Sequence, residues 1–140
     1  MIVKALQALA QGTALASEPQ SQTGVTYAHK IGKAEAALDW TQPAELLNRR
    51  IRAFDPFPGA ALNHGGQTHK VWQAEVLSPS HPAAHPVPAG TVIAVDGQGP
   101  VVTCGTGALR LSQMQRPGGR RVSGAMWAEA LGLQVGERLN

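Results

Sequence analysis

From Asp55 onward, glycine and proline punctuate the chain so often that long helices are excluded there. The pattern begins with "IRAFDPFPGAAL", residues 51–62. Here a helical run meets two prolines within a few residues of Phe54 and then continues as "GAAL". Asp55 precedes Pro56, which pushes it out of the helical region and ends the helix. Gly and Pro number 16 and 10 in 140 residues, and charged residues make up only 15%, so short strands and tight turns are expected rather than a helical bundle. A hydrophobic share of 43% is ordinary for a folded domain and argues against general disorder.

Local patterns divide the chain. Ile2, Leu6 and Leu9 have helical spacing, and Gly12 is a natural stop. Residues 13–24, "TALASEPQSQTG", read as a linker, so residues 1–24 form one region and residues 25–140 a second. Residues 25–28 are expected to be extended, with a short turn near residues 33–37. A helix is expected over residues 42–54, with Thr41 as its N-cap, Pro43 in its first turn and Glu45 near the positive end of its dipole. At about 100° per residue, Leu47, Ile51 and Phe54 share one face, Arg49 and Arg52 lie opposite, and Arg50 borders the two. Phe54 and Phe57 are expected to fill the joint around the prolines.

Beyond the joint, "GAALN" and "HKVWQAEVL" flank "HGGQ" as a hairpin, with Trp72, Ala74 and Val76 on the buried face. "SPSHPAAHPVPAG" reads as a proline-rich loop. "TVIAVDGQGPVVTC" reads as a second hairpin turning at Asp96 and Gly97. "GALRLSQMQ" is a further strand whose apolar phase slips between Leu111 and Met114, the mark of a bulge. "RPGGRR" is a basic turn, "SGAMWAEAL" a short helix ending at Gly132, and "LQVGERL" a final strand. The expected fold is mainly β: a small OB-like Greek-key barrel with an N-terminal helix, one helix before the barrel and a short C-terminal helix.

The chemistry-bearing residues point to binding rather than catalysis. Net charge is +3, with basic residues grouped as Lys30 and Lys33, as Arg49 and Arg52, and as Arg116, Arg120 and Arg121 around Gly118 and Gly119. Phosphate recognition needs cationic donors on a surface that can follow a backbone, and the glycine pair allows close approach. Lys70 joins these candidates. Trp40, Trp72 and Trp127 could stack on bases, but each sits in an apolar pattern that favours the core. His81 and His85 have a four-residue spacing, but Pro82 and Pro86 forbid the helix that would join them on a metal. The lone Cys104 excludes an internal disulfide and reads as a buried strand cysteine in a reducing compartment. No apolar run is long enough to span a membrane, and the N-terminus lacks a signal-peptide core. Paired carboxylates at catalytic spacing and a phosphate-binding Gly-Lys-Ser/Thr loop are absent.

Two runs carry a family resemblance. The first has Thr26, Tyr27, Ala28, Lys30, Ile31, Glu35, Ala36, Asp39 and Trp40; the second has Ile51, Arg52, Ala53, Phe54, Pro56 and Pro58. Together with "KVWQAEV" and "MQRPGGRRVSG" in the same order, they resemble the C-terminal domain of the methionyl-tRNA formyltransferases. The resemblance implies an OB-like domain that helps hold initiator tRNA. It also implies a separate N-terminal catalytic domain in cis that uses 10-formyltetrahydrofolate. Residues 1–24 then resemble the end of that catalytic domain and its linker. No position here matches the family's catalytic residues, so no catalytic residue, metal or cofactor is assigned to this chain. The expectation is a cytoplasmic monomer that is inactive in formyl transfer by itself, with Lys30, Lys33, Arg49, Arg52, Lys70, Arg116, Arg120 and Arg121 as tRNA contacts. A structural barrel of another formyltransferase-type protein, without tRNA binding, is the alternative.

Overall fold

The computed structural model describes residues 2–13, 18–77 and 87–140. It divides into two compact units, Met1–Lys30 and Ile31–Asn140. The first contains helix α1 (Ile2–Ala10), which buries none of its residues within its own unit: Ile2, Val3, Leu6 and Leu9 are all exposed. The expected proline-rich loop lies mostly in residues 78–86, outside the described residues, as do His81 and His85.

In the second unit a short 3-10 helix (Lys33–Ala36) precedes helix α2 (Ala44–Ala53). Helix α2 begins two residues later than the sequence predicts, and Thr41 is not its cap. Asp39 intercepts that threonine: Thr41 donates its backbone N–H and its hydroxyl to Asp39 Oδ1, at 3.0 and 2.6 Å. The first helical N–H, on Ala44, donates instead to the carbonyl of Thr106 at 2.9 Å, so a distant loop caps the helix. The predicted faces are correct. Leu47 and Ile51 are fully buried and Phe54 nearly so, while Arg49 and Arg52 are exposed and Arg50 is intermediate. Burial of a Leu or Ile side chain stabilises a fold by roughly 1.5–3 kcal/mol, so this face anchors the helix on the sheet.

The strands are β1 (Ala60–His64), β2 (Gln67–Leu77), β3 (Val92–Asp96), β4 (Gly99–Thr103), β5 (Ala108–Gln115) and β6 (Arg121–Ser123), followed by helix α3 (Gly124–Leu131). All the strand pairings are antiparallel. The order is β1-β2-β5-β4-β3, with β6 also on β5. Strand β5 therefore organises the sheet: one edge pairs with β2, and the other pairs first with β4 and then with β6. The expected bulge in β5 is present opposite Gln73 and Ala74, and a compensating shift at Trp72 lies in β2. The extra residue in each strand turns the local face, which is why Val71 and Trp72 are both buried. Helix α3 matches its prediction, capped by the Ser123 side chain and ended by a left-handed Gly132.

The fold is mainly antiparallel β, as expected, and the sheet is open between β1 and β3, which do not pair with each other. Two expectations are corrected. The final segment is not a strand. Gly136 takes a positive φ of 96° and breaks the extended run, leaving one bridge between Thr91 and Arg138. This segment nevertheless spans the open seam. Val92 donates to Glu137 and Leu139 to Gly90, while Asn63 and Asn140 exchange backbone hydrogen bonds, so both sheet edges are tied to it. Phe57 does not fill the joint, because it is 60% exposed and only Phe54 enters the core.

One core unites these parts, from Leu47 and Ile51 through Val71, Leu109 and Leu111 to Trp127 and Leu139. Inside it, Trp127 Nε1 donates to Nδ1 of the buried His69 at 3.1 Å, which satisfies two polar atoms without water. All three tryptophans are buried, as their patterns predict.

Candidate nucleic-acid interface

The "RPGGRR" turn leaves β5 at Gln115 and re-enters the sheet at Arg121. Gly118 adopts φ 67°, a conformation that side-chain-bearing residues rarely take. Gly119 N donates to Arg116 O at 2.9 Å, closing the turn. Arg116 and Arg120 are exposed on it, and neither forms an ion pair among the described residues.

Arg121 has a different environment. Its Nη2 and Nη1 donate to the two carboxylate oxygens of Asp55 at 2.6 and 3.2 Å. Its guanidinium lies 3.7 Å from the centroid of the Trp72 ring. A planar guanidinium suits both partners, through a bidentate carboxylate pair and a cation–π stack. Arg121 is thus already engaged inside the protein. Asp55 comes from the proline joint, so the joint and the basic turn are in direct contact.

The other candidates divide similarly. Lys70, on β2, donates its Nζ to the carbonyls of Pro58 and Gly59, each at 2.9 Å. Burial first, and the neighbouring Lys33 ammonium second, hold the Lys70 amine below its ordinary pKa. The bridge from Ala37 to Ala61, whose register partner is Lys70, brings the end of the Lys33–Ala36 helix to the neighbourhood of Lys70. Lys70 is the register partner of Gln115, which places the start of the turn beside β2 as well. Arg49 and Arg52 face outward on α2, with Arg49 Nε donating to Glu45 O at 3.3 Å in its own helix. Lys30 is exposed and belongs to the first unit. Arg50, left out of the candidate set, lies 5.6 Å from the centroid of the Phe54 ring.

Sequence reasoning missed Gln115. Its Nε2 donates to Gly119 O at 2.6 Å and its Oε1 accepts from Trp72 Nε1 at 2.8 Å. Its position immediately before a basic glycine turn was the only local signal. Arg110 also went unremarked, and it is a neutralised cation, 2.9 Å from Asp96 and 3.9 Å from Glu75. Cys104 lies just past the end of β4 and is only partly buried, so it is not the buried strand cysteine expected; desolvation raises its thiol pKa to about 11, which suits an inert thiol. Among the described residues no cluster of three His, Cys, Asp or Glu could hold a metal. Nor is any helix there long and apolar enough to cross a membrane.

A groove of about 310 Å³ between α3 and the β3–β4 turn is lined by Val95, Ala128 and Leu133 together with Asp96 and Glu129.

Comparison with known proteins gives a consistent result. The family described as formyl transferase, C-terminal domain, matches residues 30–132. A methionyl-tRNA formyltransferase from Burkholderia thailandensis is 46% identical over 140 residues, covering all of this chain and 42% of that protein. One from Ralstonia nicotianae is 48% identical over 139 residues, 99% of this chain and 41% of that protein. The chain thus spans about two fifths of the length of these relatives. Among solved structures, a variant of HypX from Aquifex aeolicus has a TM-score of 0.66 at 19% identity, covering 97% of this chain and 23% of its own. HypX in complex with tetrahydrofolic acid gives a TM-score of 0.65 at 19% identity, covering 96% of this chain and 23% of its own. At that identity the likeness concerns the fold alone.

Proposed function

The chain belongs to the formyl transferase C-terminal domain family, and on that premise we propose that it is the non-catalytic, tRNA-holding part of a cytoplasmic methionyl-tRNA formyltransferase. In this reading it grips the initiator tRNA backbone while a catalytic domain in cis transfers the formyl group from 10-formyltetrahydrofolate. The observation that carries the reading is the glycine turn at residues 116–121. It presents Arg116 and Arg120 to solvent with no carboxylate partner among the described residues, while Asp55 neutralises the adjacent Arg121. Unpartnered guanidinium groups on a turn fit phosphate, since each planar fork can donate to two phosphate oxygens at once. Lys33 adds positive charge on the second unit, as do Arg49 and Arg52 from α2, while the Lys70 ammonium is held by the carbonyls of Pro58 and Gly59.

The contacts in this reading are to phosphate, so affinity should depend on salt. Titrating the chain with initiator tRNA at two salt concentrations should show log affinity falling with log salt by roughly 0.7–0.9 per phosphate contacted. No binding at low salt would overturn the reading. A formylation assay on the purified chain should show no turnover.

A further inference from the structure

We propose that Asp55, Gln115 and Arg121 are positioning residues that hold the 116–120 turn in its RNA-facing shape, with the Trp72 indole as their shared anchor. The inference rests on the tRNA-holding reading and assigns Arg121 a different role within it. Arg121 becomes the brace for the contact residues, not one of them.

Both ends of the turn are fastened to one ring. At the exit from β5, Gln115 accepts from the indole N–H and donates onward to Gly119 O within the turn. At the start of β6, Arg121 lies over the face of the same indole and is locked there by both oxygens of Asp55. The indole is itself fixed. It is 8% exposed, and a Cβ at Gly59 would meet its Cη2 at 2.7 Å, so the ring packs directly on the joint backbone. Gly59 also has a positive φ of 75°, so a larger residue would be strained there in addition to clashing. The joint thus supplies Asp55 to hold Arg121 and Gly59 to seat Trp72. Between the two fastenings, Arg116 and Arg120 stand on a turn of fixed shape. Without them, two long side chains on a mobile loop would lose more conformational freedom on binding.

The alternative role for Arg121, as a phosphate ligand that Asp55 merely shields, predicts the opposite response to one substitution. Asp55→Asn removes a negative charge beside the RNA surface. If charge alone mattered, RNA would bind more tightly and the salt slope would steepen by roughly 0.7–0.9 as Arg121 became available. If Asp55 positions the turn, Asp55→Asn should weaken initiator tRNA binding roughly fivefold with little change in salt slope. Asp55→Glu, which keeps the carboxylate, should recover much of the loss. Gln115→Ala changes no charge and should weaken binding by a similar factor. Independently of RNA, amide hydrogen exchange at Gly119 should accelerate in both Asp55→Asn and Gln115→Ala while the melting transitions remain cooperative. Equal or tighter RNA binding by Asp55→Asn, or unchanged Gly119 exchange in both variants, overturns the inference. Failure of the unaltered chain to bind tRNA overturns the underlying reading, and the inference with it.

Discussion

Arg110 and Arg116 belong to one continuous stretch, β5 and the turn that follows it, yet they face opposite fates. Arg110 emerges among acids from two other strands. Glu75 of β2 and Asp96 of β3 lie 3.9 and 2.9 Å away, and Gln98 accepts a further hydrogen bond. Arg116 emerges six residues later on a turn where Asp55 is bound to Arg121, and among the described residues Arg116 forms no ion pair. Composition counts both as one positive charge. What separates them is which neighbouring strands the sheet brings alongside. At Arg110 both edges of β5 deliver acids, Glu75 from β2 and Asp96 from beyond β4, whereas the β6 end of β5 leads into a basic turn. Net charge is therefore a poor guide to where a polyanion can bind.

The two regions meet at Leu111, where both Gly99 and Gly124 pack against its carbonyl. Gly124→Ala is the strongest way to break the contrast. Its Cβ would lie 1.7 Å from Leu111 O, so the start of α3 must move away from β5. A loss of about 3 kcal/mol of stability is expected, read by denaturant unfolding. Next in size is the double substitution Arg116→Ala with Arg120→Ala. It should lower tRNA affinity at least about tenfold at low salt and flatten the salt slope by roughly 1.5, with the unfolding midpoint nearly unchanged. Arg110→Ala should do the reverse. It should cost about 1 kcal/mol of stability through its ion pairs while leaving RNA affinity within about twofold. A large loss of RNA binding in Arg110→Ala would erase the distinction between the regions.

The smallest expected effect concerns pH. His69 is buried beside the turn, and desolvation holds its pKa below the ordinary 6.5. The unfolded chain therefore takes up the proton first. The stability associated with neutral His69 is complete above about pH 6.5 and declines as pH falls below it. Protonation would also remove the acceptor that Trp127 Nε1 uses. The melting temperature should fall modestly between pH 7.5 and pH 5, and His69→Gln should reduce that component of the fall.

Local features were readable because their causes are local. The buried face of α2 follows from the spacing of Leu47 and Ile51. The first hairpin turn follows from Gly65 and Gly66, and the end of α3 from Gly132. The slipped phase at Leu111 and Met114 even revealed the bulge in β5. Thr41 misled because its hydroxyl had a closer partner in Asp39, and Phe57 because a joint residue can point outward as easily as inward. Strand β6 was missed because three residues carry too little pattern to register as a strand.

Sequence by itself determined the helices, the hairpins, the family and the set of basic residues that could touch phosphate. All of these depend on residue type and on spacing over a few positions. Tertiary structure alone decided which of those cations remain available. Asp55 and Arg121 are 66 residues apart, and Trp72 and Gln115 are 43 apart, and no local periodicity records such pairings. The closing of the sheet seam by the final residues is of the same kind. Long-range partners are set by strand order and register, so a charge that looks free in the sequence can be neutralised once the sheet is assembled.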